Sequence, residues 1–325
     1  MKKSNVIISV AIFFALFALI FSGAQAFAAK KPKSESKKLK IVATIFPEYD
    51  WTREILGERA ADAELTLLLD NGVDLHSFQP SMKDIIKVGA ADVFIFVGGE
   101  SDEWIEDALK NATNKNQKTV NLLEILGERA KTEEIVEGME SSDEDEDEKD
   151  EHVWLSIKNA PILCEAICNA ICEADAENAH VYQKNLALYT KKLSELDAEY
   201  EKTILNASKK TLLFADRFPF RYLVDDYGLS YFAAFSGCSS ETEASFKTVV
   251  FLSGKIDELN LGTICTIEKC DQKLAKSVIQ NSKKKKANIA EIDSMQATTL
   301  RDAKKGATYI KIMKKNLAAI KNALR

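Results

Sequence analysis

Apolar positions along this chain follow two alternating rhythms. Short apolar runs at 40–46, 64–69, 92–97 and 119–123 are separated by stretches at 50–57, 81–89, 102–111 and 124–131 with apolar residues at helical spacing. The runs predict strands buried on both faces, and the stretches predict amphipathic helices. The second half repeats the plan, with strand-like runs at 211–215, 230–235, 263–267 and 288–292 and helical stretches at 220–227, 246–259, 274–280 and 298–324. Such alternation predicts an α/β fold of two lobes, each a mostly parallel four-stranded sheet flanked by helices. Between the halves, 175–209 contains no Pro or Gly and places Val181, Leu186, Leu188, Leu193, Leu196, Tyr200 and Leu205 near helical spacing. A long, rigid linking helix is predicted there, stiffer than the strand hinges that permit wide domain closure.

The N-terminus modifies this picture. Lys2 and Lys3 precede an apolar run at 6–21, and small residues at Ala24, Ala26, Ala28 and Ala29 suit signal peptidase. This predicts a cleaved signal peptide over 1–29, followed by a lysine-rich flexible tether over 30–39. No Cys follows the apolar run, so the expectation is a secreted or periplasmic protein without a lipobox or acyl anchor. The expected organisation is then an N-terminal lobe at 40–174, the linking helix at 175–209 and a C-terminal lobe at 210–325.

Charge is unevenly spread. The formal net charge is −6, but residues 140–151 alone hold nine carboxylates against Lys149. The rest of the mature chain is therefore near neutral and carries no electrostatic footprint for nucleic acid. A run this acidic reads as a solvated loop, able to collect cations loosely. Among the six cysteines, Cys164, Cys168 and Cys172 recur at i, i+4 and i+8, which suits a buried helix face. Spacing leaves their pairing open.

Candidate chemistry rests on the three histidines. His76 follows the second predicted strand, in the segment Gly72-Val-Asp-Leu-His-Ser-Phe-Gln-Pro80, and His152 follows the acidic run in Asp150-Glu-His-Val-Trp-Leu-Ser156. His180 lies at the start of the linking helix and reads as surface or packing. In open α/β sheets ligands bind beyond the carboxyl ends of strands, where Asp216 and Asp293 also fall. Two imidazoles from one lobe facing carboxylates from the other make a mixed nitrogen and oxygen set suited to zinc, manganese or ferrous iron. The chain lacks His-Glu-x-x-His and Gly-x-Ser-x-Gly, so a binding protein is expected rather than an enzyme. A zinc-dependent hydrolase and an adhesion or docking protein using the acidic loop are the competing readings.

Several further segments bring a family into view: Val42-Ala-Thr-Ile-Phe-Pro47, Asp74-Leu-His76 with Pro80-Ser81, His152-Val-Trp-Leu155, Tyr182 with Asn185, Tyr227-Gly-Leu229, Asp293-Ser294 and Gly306-Ala-Thr-Tyr309 with Met313 and Asn316-Leu317. With them, nearly the whole mature chain resembles the zinc- and manganese-binding solute receptors of bacterial metal ABC importers. The resemblance implies His76, His152 and Asp293 as metal ligands, and a monomer that hands its ion to a membrane permease. It also implies a third ligand, His or Glu, at the position that Arg217 occupies here. A guanidinium cannot ligate a cation. Either the adjacent Asp216 substitutes, or Arg217 pairs with a cleft carboxylate and water takes the open position. Zinc is the first expectation, with manganese or iron second, and affinity is expected to fall as pH drops through the imidazole range.

Overall fold

The structure is a computed structural model that describes residues 38–140, 148–239 and 243–325. The expected signal segment, nearly all of the tether, and 141–147 of the acidic loop lie outside the described residues. Residues Leu39–Arg325 form one compact unit.

Strand β1 (Leu39–Ala43) leads into α1 (Phe46–Leu56), which starts earlier than its apolar spacing predicts. Pro47 is preset for a first turn, and Glu48 Oε2 accepts from the amides of Thr44 (2.8 Å) and Ile45 (3.2 Å), so the turn is capped at once. Next come β2 (Ala63–Leu67), α2 (Met82–Gly89), β3 (Val93–Phe96), α3 (Trp104–Lys110), β4 (Lys118–Asn121) and α4 (Leu122–Leu126). Helix α5 (Ala160–Ala174) carries the cysteine stripe, with Cys164 and Cys168 fully buried, and all six cysteines are free thiols. The linking helix α6 (Ala179–Leu205) has 27 residues. At about 1.5 Å per residue it is about 40 Å long. The remainder comprises β5 (Thr211–Phe218), α7 (Arg221–Tyr227), β6 (Ser230–Ser236), α8 (Phe246–Glu258), β7 (Thr263–Ile267), α9 (Lys273–Asn281), β8 (Asn288–Ile292), α10 (Leu300–Lys304) and α11 (Tyr309–Ala323). The single helix expected at 298–324 is split because Gly306 takes φ +96° and Thr308 caps a new start by accepting from the Lys311 amide.

Both sheets are wholly parallel and share one strand order, β2-β1-β3-β4 in the first lobe and β6-β5-β7-β8 in the second. All four residues of β3 are buried, as covering by helices on both faces requires. In each lobe the chain steps out to the second strand and returns across the first to reach the third. The reversal opens a crevice at the strand carboxyl ends, where ligands bind in sheets of this kind. Strand β5 outruns its expected end at 215 through an irregularity between Phe214 and Arg217, so Asp216 and Arg217 ride on its last turn of backbone.

The lobes are locked to each other along one side. Helix α6 packs on α1 and α5 of the first lobe and on α11 of the second. Asn185 Nδ2 donates to Ile55 O at 2.9 Å, and Tyr200 Oη donates to Met313 O at 2.6 Å. Fully buried Trp154, in the short turn Val153–Leu155, donates its indole N–H to Ser294 O at 2.8 Å. In return, Tyr309 Oη donates to Trp154 O at 2.7 Å, and the Tyr309 amide donates to Asp50 Oδ2 at 2.8 Å. The flanks of the acidic loop also reach the second lobe. The Glu140 amide donates to Ala234 O at 2.9 Å beside β6, and the Lys131 amide donates to Tyr222 Oη at 2.9 Å.

The Tyr309–Trp154 bond yields a stability test. Tyr309→Phe leaves a buried carbonyl without its donor and should destabilise the fold by about 1–3 kcal/mol. Urea unfolding should show a lower midpoint with an unchanged slope.

Candidate metal centre

His76 sits in the single turn Leu75–Ser77, where Asp74 Oδ1 accepts from the His76 amide at 3.0 Å. His152 starts the turn that carries Trp154 and is fully buried. These two side chains, 76 residues apart in sequence, bring their Nε2 atoms to 3.2 Å. Two nitrogens bound to one tetrahedral ion at 2.0–2.1 Å lie about 3.3 Å apart, so the spacing already matches a shared ion.

The opposite ring nitrogens each face a polar partner, an arrangement that suits ligation through Nε2. His152 Nδ1 lies 2.9 Å from Asp150 Oδ1, which also accepts from the His152 amide at 2.8 Å. An oxygen accepting from the amide accepts from Nδ1–H as well, leaving the Nε2 lone pair bare. His76 Nδ1 lies 2.8 Å from Ser101 Oγ and 3.4 Å from Glu151 Oε2, with Glu151 Oε1 held by the Ser101 amide at 2.9 Å. Carboxylates behind metal-binding imidazoles orient the ring in this way and raise its basicity. Two lone pairs facing each other at this distance repel unless a cation or proton lies between them.

Gln296 lies beside the pair, its side-chain amide 3.3 Å from His152 Nε2. Turned so that its nitrogen donates to Asp74 Oδ1 at 2.8 Å, the amide presents its oxygen toward His152. Asp74 in turn accepts from Arg217 Nη2 at 2.7 Å, so Arg217 pairs with a cleft carboxylate. Arg217 Nη1 also donates to Ser239 O at 3.2 Å.

Burial governs the titration of this cluster. It pushes His76 down to about 3, helped by the charge of His152, and pushes His152 down to about 4. Both rings are neutral at physiological pH. The same burial raises Asp150 and Glu151 to about 7.

Among the described residues, two groups bring potential ligand atoms within 4.8 Å of one another: His76 with His152 and Cys238, and Glu133 with Asp150 and His152. Neither includes Asp216 or Asp293. Asp216 Oδ1 accepts from the Arg217 amide at 2.9 Å and Oδ2 from the Ile267 amide at 3.2 Å. Asp293 Oδ1 accepts from the Met295 amide at 2.8 Å, and burial raises its carboxyl above the usual range. His180 is exposed at the start of α6.

Sequence reasoning passed over Cys238, Gln296, Ser101 and the pair Asp150-Glu151. Only the pair left a signal, as acids immediately before a scarce histidine, and the acidic run around it concealed that signal. The run is expected to be solvated, yet Asp150 and Glu151 are buried.

The chain is 28% identical over 312 residues to the zinc-binding protein AdcA of Streptococcus pyogenes, an alignment covering 93% of this chain and 59% of that protein. It thus spans about three-fifths of the length of that relative. It is also 28% identical over 299 residues to the high-affinity zinc uptake system protein ZnuA of Bacillus subtilis, covering 90% of this chain and 89% of the relative. The Zn(II)-bound ZnuA-like domain of Streptococcus pneumoniae AdcA superposes with a TM-score of 0.70 at 28% identity, over 88% of this chain and 99% of that domain. The metal-dependent lipoprotein YcdH of Bacillus subtilis superposes with a TM-score of 0.73 at 28% identity, over 89% and 100%. The profile of the zinc-uptake complex component A, periplasmic (ZnuA), matches residues 41–323, and the chain belongs to that family.

Proposed function

We propose that this protein is an extracytoplasmic receptor that captures one divalent metal ion, zinc in the first place, and delivers it to the permease of a membrane importer. The observation that carries this reading is the approach of two Nε2 lone pairs to 3.2 Å in a buried site. Zinc accepts neutral imidazoles at the distances this spacing requires and ranks above manganese and iron in affinity for nitrogen donors. The zinc-binding relatives support the choice of ion. Among the described residues no helix is long and apolar enough to cross a membrane, which fits a receptor acting beside a separate permease.

Capture involves no bond-breaking in a substrate. His76 and His152 supply the nitrogens, and the Gln296 oxygen faces the same point. Asp216 and Asp293, at the ends of β5 and β8, contribute negative charge from the second lobe. Backbone amides donate to both oxygens of Asp216 and to Oδ1 of Asp293, which holds each carboxylate in one orientation. The lobes are joined through α6, Trp154 and Tyr309, so loading is a local event at the crevice rather than a wide closure. Release then requires the importer to strain that joint.

Two outcomes test the reading on metal-stripped protein titrated against a chelator. His76→Ala and His152→Ala should each weaken zinc binding by more than the about 10–100-fold typical of losing an outer partner. Asp293→Ala and Asp216→Ala should cost less than either, and His180→Ala nothing; equal tolerance at both site histidines would sink the assignment.

The second outcome is a pH profile. A bound dication favours the ionised forms of Asp150 and Glu151, so below about pH 7 each must lose a proton as the ion enters. Affinity should therefore decline as pH falls from about 7, and again near pH 4 as the imidazoles protonate. Asp150→Asn with Glu151→Gln should flatten the upper limb. A profile breaking only at the ordinary histidine value near 6.5 would contradict this account.

A further inference from the structure

Strand β6 ends at Ser236, and Gly237-Cys238-Ser239 follow at its carboxyl end, facing the first lobe. Three contacts pin this short segment. The Cys238 amide donates to Glu133 Oε1 at 3.1 Å, and Ser239 O accepts from Arg217 Nη1 at 3.2 Å. At Gly237 a β-carbon would stand 3.1 Å from His152 Cε1 and 3.0 Å from Phe218 O, so a residue without one lets the loop lie against the imidazole. The result places Cys238 Sγ within 4.8 Å of ligand nitrogens of both His76 and His152.

We infer that the Cys238 thiolate is a ligand that the second lobe supplies to the ion. This rests on the metal-capture reading above and adds the donor that the two histidines lack. A tetrahedral zinc at about 2.3 Å from sulfur and about 2.0–2.1 Å from nitrogen separates the two donors by about 3.6 Å. Sγ is thus within a short loop adjustment of a ligating position. As the sulfur–metal bond forms, the thiol proton passes to solvent, and no redox partner is needed.

The assignment also accounts for Arg217. Its guanidinium cannot ligate, but it holds both Asp74, which caps the His76 turn, and the carbonyl beside Cys238. Arg217 is thereby a positioning residue linking the histidine turn of one lobe to the cysteine loop of the other. Selectivity follows from donor type. A soft thiolate favours zinc and disfavours manganese, which prefers oxygen. The carboxylates that the sequence offers would shift selectivity the other way.

The test uses the metal-stripped full chain with zinc, manganese and cobalt(II) as probes. Cobalt bound to the wild-type protein should show the intense near-ultraviolet absorption of thiolate-to-metal charge transfer, and Cys238→Ser should abolish that band. The same variant should lose zinc affinity by more than about a hundredfold while manganese affinity changes by less than about tenfold. Wild-type cobalt protein without the band, or Cys238→Ser binding zinc as tightly as wild type, overturns thiolate ligation. If His152→Ala still loses zinc in that case, the capture reading survives alone. If His152→Ala also binds zinc normally, the capture reading falls and thiolate ligation with it.

Discussion

Trp154 lies two residues after His152 on one short turn, with no exposed surface, and its indole N–H crosses to Ser294 of the second lobe. Its own carbonyl takes the Tyr309 hydroxyl from the same lobe. Burying so large a ring is strongly favourable, and leaving either polar group unpaired in that environment would cost about 1–3 kcal/mol. The turn is therefore held from both lobes. Because His152 is part of it, the geometry of the candidate centre and the attachment of the lobes are one mechanical problem. Helix α6 extends the same constraint along the back of the molecule.

Electrostatics at the centre follow from this burial. Taking imidazoles out of water favours their neutral form, which is the form that ligates. Taking Asp150 and Glu151 out of water favours their protonated form and raises both to about 7. A dication reverses the balance, and the buried acids become its counter-charge. The acidic run thus divides by function. Its last two residues stand behind the histidines, whereas Glu140 is tied to the second lobe through β6 and the start of α8.

The fold was legible because its signal is local. Strands of four to eight residues and helices at helical spacing each announce themselves within one segment, and the shared strand order follows from repeating the same unit. The expected helix at 298–324 failed at Gly306, where apolar spacing continues but the backbone turns left-handed. The first helix began early because Glu48 caps it from inside, a contact that periodicity does not register. The histidines were legible by scarcity and by position after predicted strands. Asp216 was legible by its strand end, and Asp293 by its strand end and the family resemblance; a strand end does not say which way a carboxylate turns. Both meet backbone amides.

What the sequence determined by itself, then, was the α/β class, the doubled plan, the linking helix and the two histidines, since each depends on residue type and short-range spacing. Tertiary structure decided which groups surround those histidines. Cys238 comes to His152 because β6 ends opposite the turn of the other lobe and Gly237 carries no β-carbon. Arg217 meets Asp74 across 143 residues of sequence, and Gln296 meets His152 across 144. Donors drawn together over such separations leave no spacing pattern in the chain, because their proximity arises only when both sheets have formed and Trp154 has closed the lobes upon each other.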